Sequence, residues 1–233
     1  AATFEITQES FVDIPRATGM DLDALGNLYI ASWWSGEASV YVGPHVGFVA
    51  RVTPAKKRER VFPQLHELDV PELIKLLGEP QSVVRFHAQG ELLRRGPSAE
   101  SSSFLQATIA EKTFPLAGRV AALFALKQLE GEAAHPAFIR YLEDDSIREF
   151  AIRALADRRS QRSGVNAEWL LPYLNDSNPR VVAQTVIALG RLGDPAAAPW
   201  LLPLADSKIV ERSDPALPNS QAVIPHLAIQ ALV

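Results

Sequence analysis

Five histidines are the side chains of this sequence best suited to bind a metal ion or to move protons. A helical zinc site needs two imidazoles about four residues apart, so that both face one ion. None of the five has another histidine at that spacing; they are His45, His66, His87, His135 and His226. The spacing therefore favours structural roles for all five.

Carboxylates, thiols and glycines give no stronger signal of chemistry. The run Glu143-Asp144-Asp145 could hold a cation, but consecutive carboxylates between helices are typical of caps and solvated charge. Asp21 and Asp23 lack the further oxygen ligands and the closing Glu of a calcium loop, which predicts a turn. There is no cysteine, no GxGxxG or P-loop and no GxSxG. We expect no catalytic residue, no metal ligand and no cofactor within these residues.

Charge and hydropathy exclude two classes of partner. The formal charge of -4 and the pI near 5.8 give no basic field for a phosphate backbone, and the cationic run 56–60 is interrupted by Glu59. No apolar run reaches the roughly 18 residues that a membrane span needs. An apolar fraction of 47% with 21% charged residues predicts a folded chain.

An internal repeat organises most of the chain. Its unit is an aliphatic or small residue, often followed by Arg, with a small residue four places on and Leu eight places on. In order, the units are Val84-Arg85, Ala88, Leu92; Gly118-Arg119, Ala122, Leu126; Ile147-Arg148, Ala151, Leu155; Val181, Thr185, Leu189; and Ile224, Ala228, Leu232. The final leucines lie 34, 29, 34 and 43 residues apart, which gives room for two short helices per unit.

The i, i+4, i+8 spacing places each unit on one stripe of a helix, which we call the seam. Apolar residues upstream of each seam predict a first helix for each pair: Leu73, Leu76, Leu77; Leu105, Ile109; Phe138, Ile139, Leu142; Trp169, Leu170, Tyr173, Leu174; and Trp200, Leu201, Leu204. Cap signals at Asp144-Asp145-Ser146, Asp176 to Pro179 and Gly193-Asp194-Pro195 support the helix boundaries. We expect about five helix pairs over 69–233, the last interrupted by an insertion at 207–221.

The first 54 residues predict short strands with tight turns. Gly26-Asn27 is a turn dipeptide before Leu28 to Ala31, and further runs follow at Val40 to Val42 and Val46 to Val52. So small a sheet is marginal alone. Beyond a linker at 55–68, we expect it to dock on the first helices through Val61, Phe62 and Leu65, or to remain partly disordered.

Val181 to Pro195, with Ala188-Leu189-Gly190-Arg191-Leu192-Gly193-Asp194-Pro195, resembles the second helix and junction of short, bilin-lyase-like HEAT repeats. Residues 19–32 and 43–54 resemble the closing blade of a sugar-dehydrogenase-like β-propeller. The order of a propeller end followed by HEAT repeats resembles that of large secreted planctomycete proteins, in which a cytochrome c-like domain often follows. The resemblance implies a mainly α fold, a right-handed α-α superhelix with a small β segment, and a periplasmic or secreted location. It also implies that the turn histidine His45 could face a propeller channel.

Three functions fit these observations. The first is a non-catalytic scaffold or protein-interaction module whose partner is a protein or a neighbouring domain of the same chain. The second is part of a propeller-type sugar or alcohol dehydrogenase with its active site and haem domain elsewhere. The third, resting on the repeat subclass alone, is a bilin-lyase-like chromophore handler.

The candidate partner surface consists of Arg85, Arg119, Arg148, Trp33 and Trp34. The three arginines recur at one repeat position, so a stack would align them in a row. They could instead pair with acids of the adjacent repeat and cap first-helix carbonyls, which is a structural use. The tryptophans, together with Trp169 and Trp200, could equally be core or seam residues.

Overall fold

The computed structural model describes residues 9–23, 25–33, 46–53, 61–206 and 220–233. It is mostly helical, at 60%, with a small antiparallel sheet near the N-terminus, which confirms the predicted fold class at this level. The predicted strand Val40 to Val42, the charged run 56–60, Trp34, His45 and nearly all of the insertion at 207–221 lie outside the described residues.

Three strands form an antiparallel sheet in the order β1 (Gly19–Leu22), β2 (Leu28–Trp33) and β3 (Gly47–Val52). The carboxylate of Asp23 closes the turn between β1 and β2, because it accepts hydrogen bonds from the backbone N–H groups of Leu25 and Asn27, each at 2.9 Å. The side-chain amide of Asn27 is the main group that lowers the pKa of Asp23. Gly26 supplies the left-handed conformation with φ of 78°. The prediction of a turn is confirmed.

From residue 65 onward the described chain is helical. The α-helices are α1 (Val70–Leu76), α2 (Ser82–Arg95), α3 (Ala99–Ala110), α4 (Leu116–Glu130), α5 (His135–Tyr141), α6 (Arg148–Ala156), α7 (Pro179–Leu192), α8 (Ala198–Leu201) and α9 (Ser220–Leu232). The second helices α2, α4, α6, α7 and α9 pack on one another in chain order, and each also packs on the first segment of its own repeat. The described residues thus contain five helical pairs, while the predicted domain boundaries stay predictions.

The seams are the packing centres of the array. Their central small residues, Ala88, Ala122, Ala151, Thr185 and Ala228, are all 0% exposed. Thr185 fits despite its hydroxyl because Oγ1 donates a hydrogen bond to the carbonyl oxygen of Val181 at 2.8 Å. Small residues let backbones approach closely, as Gly190 of α7 does: a Cβ built on it would lie 2.6 Å from the Cβ of Ala231.

Helix ends follow the predicted signals in two of three places. Asn178 caps α7 through a hydrogen bond from the N–H of Arg180, and Gly193 ends it with φ of 66°. Asp194 then caps the next 3₁₀ turn, Pro195–Ala197. The prediction that Asp144 caps α6 is wrong: the cap residue is Ile147, without a side-chain bond, and the Asp144 carboxylate instead binds the N–H and hydroxyl of Ser146.

The first segments of the last two repeats are broken into elements of five residues or fewer. In place of one helix, the fourth repeat has two 3₁₀ turns, Ala167–Trp169 and Leu171–Asn175, and the fifth has the four-residue α8 followed by the turn Leu202–Ala205. Pro172 and Pro203 explain the break, because proline inside a helix removes an N–H donor and clashes with the preceding turn. Both belong to a Trp-Leu-Leu-Pro motif that occurs at 169–172 and 200–203.

Two groups of side chains differ from their predicted burial. Trp169 and Trp200 are not core residues, since they are 39% and 55% exposed, while the leucine after each is buried. Of the predicted docking residues, Val61 is 90% exposed. Phe62 lies edge-on to the ring of His87, with ring centroids 5.3 Å apart, and Leu65 packs against the core.

Candidate interaction surface

Arg119 links the second repeat to the third. It is 3% exposed, and its Nε donates to the carbonyl oxygen of Ile109, near the end of α3, at 2.7 Å. Nη1 donates to Ser146 Oγ at 2.7 Å and Nη2 to the Asp144 carboxylate at 2.6 Å, both ahead of α6. One guanidinium therefore satisfies a carbonyl in its own repeat and an acid in the next.

The acid of this pair is held in its charged form. Burial on its own raises the pKa of Asp144, but hydrogen bonds from Ser146 and Arg119 outweigh it and lower the pKa from 3.8 to about 2. Charge-assisted bonds of this kind are among the strongest polar contacts in proteins. The pair consequently fixes how the two repeats sit against each other.

Arg148 repeats the arrangement one step along the chain. Its Nε donates to the carbonyl oxygen of Leu142 at 2.6 Å, and Nη1 donates to the Asp176 carboxylate at 2.7 Å. The guanidinium carbon also lies 5.2 Å from the centroid of the Tyr173 ring, a cation–π distance. Arg85 donates to the carbonyl oxygens of Glu79 and Pro80 at 2.7 and 2.8 Å.

We call Arg85, Arg119 and Arg148 the arginine ladder. The structure brings its guanidinium groups to backbone carbonyls and, for Arg119 and Arg148, to acids of the next repeat. Trp33 is half-buried in β2, apart from the helical ladder positions, and Trp34 is outside the described residues. A partner surface made of these five residues stays a prediction, while the ladder contacts show what its arginines do within the chain.

A different set of positions is open to solvent. These positions lie two, six and ten residues after the start of each seam, and we call them the second-helix face. Its members are Phe86, Gly90 and Arg94 on α2; Val120, Phe124 and Gln128 on α4; Glu149, Arg153 and Asp157 on α6; Ala183, Ile187 and Arg191 on α7; and His226 and Gln230 on α9. None of them is buried, in contrast to the central small residues of the seams.

The N-terminal half of the second-helix face is aromatic. Phe86 is 71% exposed, and its ring meets the ring of His87 edge-on at 5.6 Å. On the next helix Phe124 is half-buried and meets the ring of Phe150 edge-on, with centroids 6.5 Å apart. A single exposed Phe needs no explanation, but aromatic residues on the same face of neighbouring helices are typical of contact sites.

The C-terminal half is charged. Arg180 is outside the numbered positions, but we count it with this half because it pairs with Glu149 at 2.9 Å. Asp157 lies 3.4 Å from Arg191 and 3.9 Å from Arg153. The side chains of Arg153 and Arg180 are 54% and 51% exposed, whereas those of Asp157 and Glu149 are 34% and 22% exposed. The outermost charges of this half are therefore positive, although the chain as a whole is acidic.

Comparison with known families agrees with this geometry. Residues 136–213 match the family model of HEAT repeats. The match supports a HEAT-repeat protein. It spans α5 to α8, so it covers the third and fourth helical pairs and the first part of the fifth. The search of curated proteins found no match to the chain.

HEAT repeats commonly mediate protein interactions. The first two helical pairs lie outside the matched residues, yet their seam residues Ala88, Leu92, Ala122 and Leu126 are buried like those of the matched HEAT repeats. The second-helix face runs across both parts. Its aromatic half belongs to the unmatched pairs, and its charged half belongs to the matched ones.

Sequence reasoning missed one buried polar pair, which joins the second helical pair to the third. Lys127 is 2% exposed and His135 is 6% exposed, with Lys127 Nζ 2.8 Å from His135 Nε2. An ammonium at this distance donates to an unprotonated Nε2, so His135 is neutral when Lys127 is charged. The available signal was a lysine directly after a seam leucine, where the other four second helices have Leu93, Ala156, Gly190 and Val233.

The pKa values of Lys127 and His135 are both lower than the ordinary values of these side chains. Burial is the main cause of the lowered pKa of Lys127, partly offset by the charges of Asp157 and Glu132. For His135, burial and then the neighbouring Lys127 charge lower the pKa. The folded chain therefore takes up a proton at His135 less readily than the unfolded chain does.

This pair predicts a pH-dependent stability. Because the folded-state pKa of His135 is lowered, the free energy of unfolding should fall as the pH drops through 6.5, the ordinary histidine value, and level off below the folded-state pKa. We expect His135→Gln to flatten the curve between about pH 7 and 5, measured by urea unfolding at several pH values. His66→Gln is the matched control, because the side chain of His66 is 66% exposed. Equal flattening by both variants would show that His135 is not the source of the pH dependence.

A depression of about 260 Å³ opens beside the ladder. Its lining residues are Lys112, Phe114, Leu116, Arg119, Asp144, Asp145 and Ser146. Three of them, Arg119, Asp144 and Ser146, are already joined to one another in the inter-repeat contact, so the depression belongs to the packing of the helical repeats. Among the described residues, no group of three or more His, Cys, Asp or Glu side chains could hold a metal ion. No helix in the described part of the chain is long and apolar enough to cross a membrane.

Proposed function

We propose that the chain is a scaffold whose second-helix face binds a segment of a partner protein. HEAT repeats suggest a protein-interaction or scaffold role, and the observation that supports a contact at this face is the 71% exposed Phe86 in its aromatic half. Stacked repeats present matched positions in rows, which suits an extended or helical segment several turns long.

The two halves of the face define the chemistry of that segment. Aliphatic or aromatic anchors would cover Phe86 and Phe124, because fully desolvated aromatic residues supply most of the binding energy at interfaces. Acidic residues would follow, since the outermost charges of the other half are those of Arg153, Arg180 and Arg191. The proposed ligand is therefore an apolar segment flanked by Asp or Glu.

A peptide library displayed on phage and selected against the full chain tests this. We expect the selected peptides to combine apolar anchors with acids, and Phe86→Asp to weaken their binding about tenfold or more, measured by isothermal titration calorimetry. Phe104→Asp is the matched control, because Phe104 is 42% exposed on α3, in the first-segment layer of the array. Peptides that bind Phe86→Asp as tightly as the parent chain would place the contact elsewhere.

We also propose the wider setting that the resemblance implies. All four residues of strand β1 are exposed. This supports the proposal that a neighbouring propeller blade covers this edge of the sheet. In this proposal residues 1–54 form a blade and residues 69–233 form a right-handed superhelix. The whole protein is then a secreted multidomain scaffold. The alternative is that the whole protein is a propeller-type dehydrogenase. Reading the coding sequence on either side tests it: upstream blades and a downstream CxxCH would support the redox alternative, and their absence would leave the binding module.

A further inference from the structure

The connection between the third and fourth helical pairs is longer than the other connections between pairs in the described part of the chain. Ten residues, 157–166, lie between the end of α6 and the 3₁₀ turn Ala167–Trp169. The connections after α2 and α7 have three and two residues, and after α4 a 3₁₀ turn follows without a break. Insertions between repeats form loops that often lie on the binding side of an array. We call residues 157–166 the arginine junction.

Three of these ten residues are arginines, which lie at 158, 159 and 162. Arg158 and Arg159 are exposed and Arg162 is half-buried. In the ranges that the structure describes, none of the three forms an ion pair with a carboxylate. The connections after α4 and α7 instead carry an acid, Glu132 and Asp194. The three positive charges are therefore not something that a repeat connection of this array requires.

Two acids contact this part of the chain, and both have other partners. Asp157 lies 3.4 Å from Arg191 and 3.9 Å from Arg153. Glu132 accepts a hydrogen bond from the hydroxyl of Ser163 at 2.6 Å. The arginine junction therefore has an excess of positive charge, in a chain whose formal net charge is -4.

The preceding repeat holds the arginine junction in place. Besides the contact between Ser163 and Glu132, the side-chain amide of Gln161 packs on Gly131 at the end of α4. A Cβ built on Gly131 would lie 3.0 Å from Gln161 Nε2, and its φ of 61° also favours glycine. The arginines thus belong to a loop that a rigid scaffold positions, which is a common setting for a binding site.

Arg159 and Arg162 share one side of the arginine junction. Arg159–Gln161 is a turn of 3₁₀ helix, a conformation in which residues three apart eclipse each other. Arg162 Nε also donates to the carbonyl oxygen of Arg159, at 3.5 Å. Two guanidinium groups on one side of a turn repel each other unless an anion lies between them. The two side chains are therefore suited to an anion that accepts hydrogen bonds from both.

We propose that the arginine junction binds a phosphorylated serine or threonine of a partner protein, with Arg159 and Arg162 on the phosphoryl group and Arg158 adding charge beside them. At neutral pH this group carries about 1.5 to 2 negative charges and three acceptor oxygens, enough for both guanidinium groups. A carboxylate of Asp or Glu has one charge and two oxygens, so it offsets their repulsion less. The acidic chain disfavours nucleic acid, whose phosphates extend well beyond one loop.

Immobilised peptide libraries test the proposal with the full chain. Three libraries have the same random flanks and carry phosphoserine, aspartate or serine at one fixed position. At physiological ionic strength, we expect the phosphoserine library to retain at least about tenfold more protein than the serine library, with the aspartate library between them. Retention by the phosphoserine library that is no greater than that by the aspartate or the serine library would overturn the proposal.

Substitutions locate the site. Arg159→Gln and Arg162→Gln should each weaken the binding of a phosphoserine peptide from the library about tenfold, measured by fluorescence anisotropy. Circular dichroism checks that each variant is folded. Arg51→Gln is the matched control, because it removes the same charge from an exposed residue of β3. An equal loss in all three variants, or tighter binding of mixed-sequence single-stranded RNA than of the peptide, would refute the proposal.

The outcome is separable from that of the proposed function, because the arginine junction has binding residues of its own. It adjoins the charged half of the second-helix face at Asp157, whereas Phe86 lies on α2, two repeats earlier. Phe86→Asp should therefore leave phosphoserine binding unchanged while it weakens the binding of peptides selected for the second-helix face. Loss of phosphoserine binding in Phe86→Asp would move the phosphopeptide to that face and overturn the assignment to Arg159 and Arg162.

Discussion

Arg119→Met is expected to cost about 3 kcal/mol in the free energy of unfolding, because removing one partner of a buried ion pair leaves the other charge poorly compensated. The substitution deletes three hydrogen bonds at once, to Ile109, Ser146 and Asp144. Urea unfolding followed by far-UV circular dichroism measures the change. The pKa of Asp144 should also rise from about 2 toward its ordinary value of 3.8, which an NMR titration detects.

Arg180→Met is the matched control for this prediction. Arg180 also joins neighbouring repeats, through Glu149 at 2.9 Å, but its side chain is 51% exposed. Exposed pairs contribute at most about 1 kcal/mol, since water screens the charges and two long side chains must be ordered. If both arginine variants lose the same stability, burial is not what gives the ladder its strength.

Gly118→Ala should destabilise the chain by about 2 kcal/mol, through overpacking where the first and second repeats meet. A Cβ at this position would lie 2.7 Å from the carbonyl oxygen of Leu77, and it would also clash with the ring of Phe114. The ring can rotate away, but the carbonyl belongs to the backbone at the end of α1. The relief of the clash therefore requires α1 and α4 to move apart, and thermal unfolding reports the loss.

Gly90→Ala is the same chemical change with the opposite expected sign. Gly90 lies inside α2, and a Cβ built there meets nothing within 4 Å. Alanine favours a helix over glycine by roughly 0.5–1 kcal/mol, chiefly because the unfolded chain has less freedom to lose. A loss of stability in Gly90→Ala, or a gain in Gly118→Ala, would show that the two sites are packed differently from this description.

The seams were predictable from sequence because one stripe of residues is buried by two neighbours, so its size and polarity are tightly restricted. Ala88, Ala122 and Ala151 were identified by spacing alone and prove fully buried. The arginines were also identified, but spacing could not choose between a partner groove and an internal pair. That choice depends on where Asp144 and Asp176 lie, and both come from the following repeat.

Other features could be identified only from the structure. Trp169 and Trp200 belong to the predicted apolar faces, yet proline breaks shorten their segments and leave the indoles on the outside. The contact between Lys127 and His135 joins α4 to the next first helix, and no periodicity encodes a single lysine turned inward. The second-helix face could not be predicted from sequence, because exposed positions tolerate many residue types. Only the burial of each residue reveals that these positions form one surface.

The ladder gives the array a direction. Two of its three guanidinium groups pair with a carboxylate that comes later in the chain, Arg119 with Asp144 and Arg148 with Asp176. During synthesis, the arginine of a repeat that has just left the ribosome still lacks its carboxylate partner. The ion pair forms only when about thirty more residues have emerged. Pulling on the two ends should reverse this order, so that the array unfolds from the C-terminal side. The steps that remove Asp176 and then Asp144 leave Arg148 and Arg119 without their carboxylate partners.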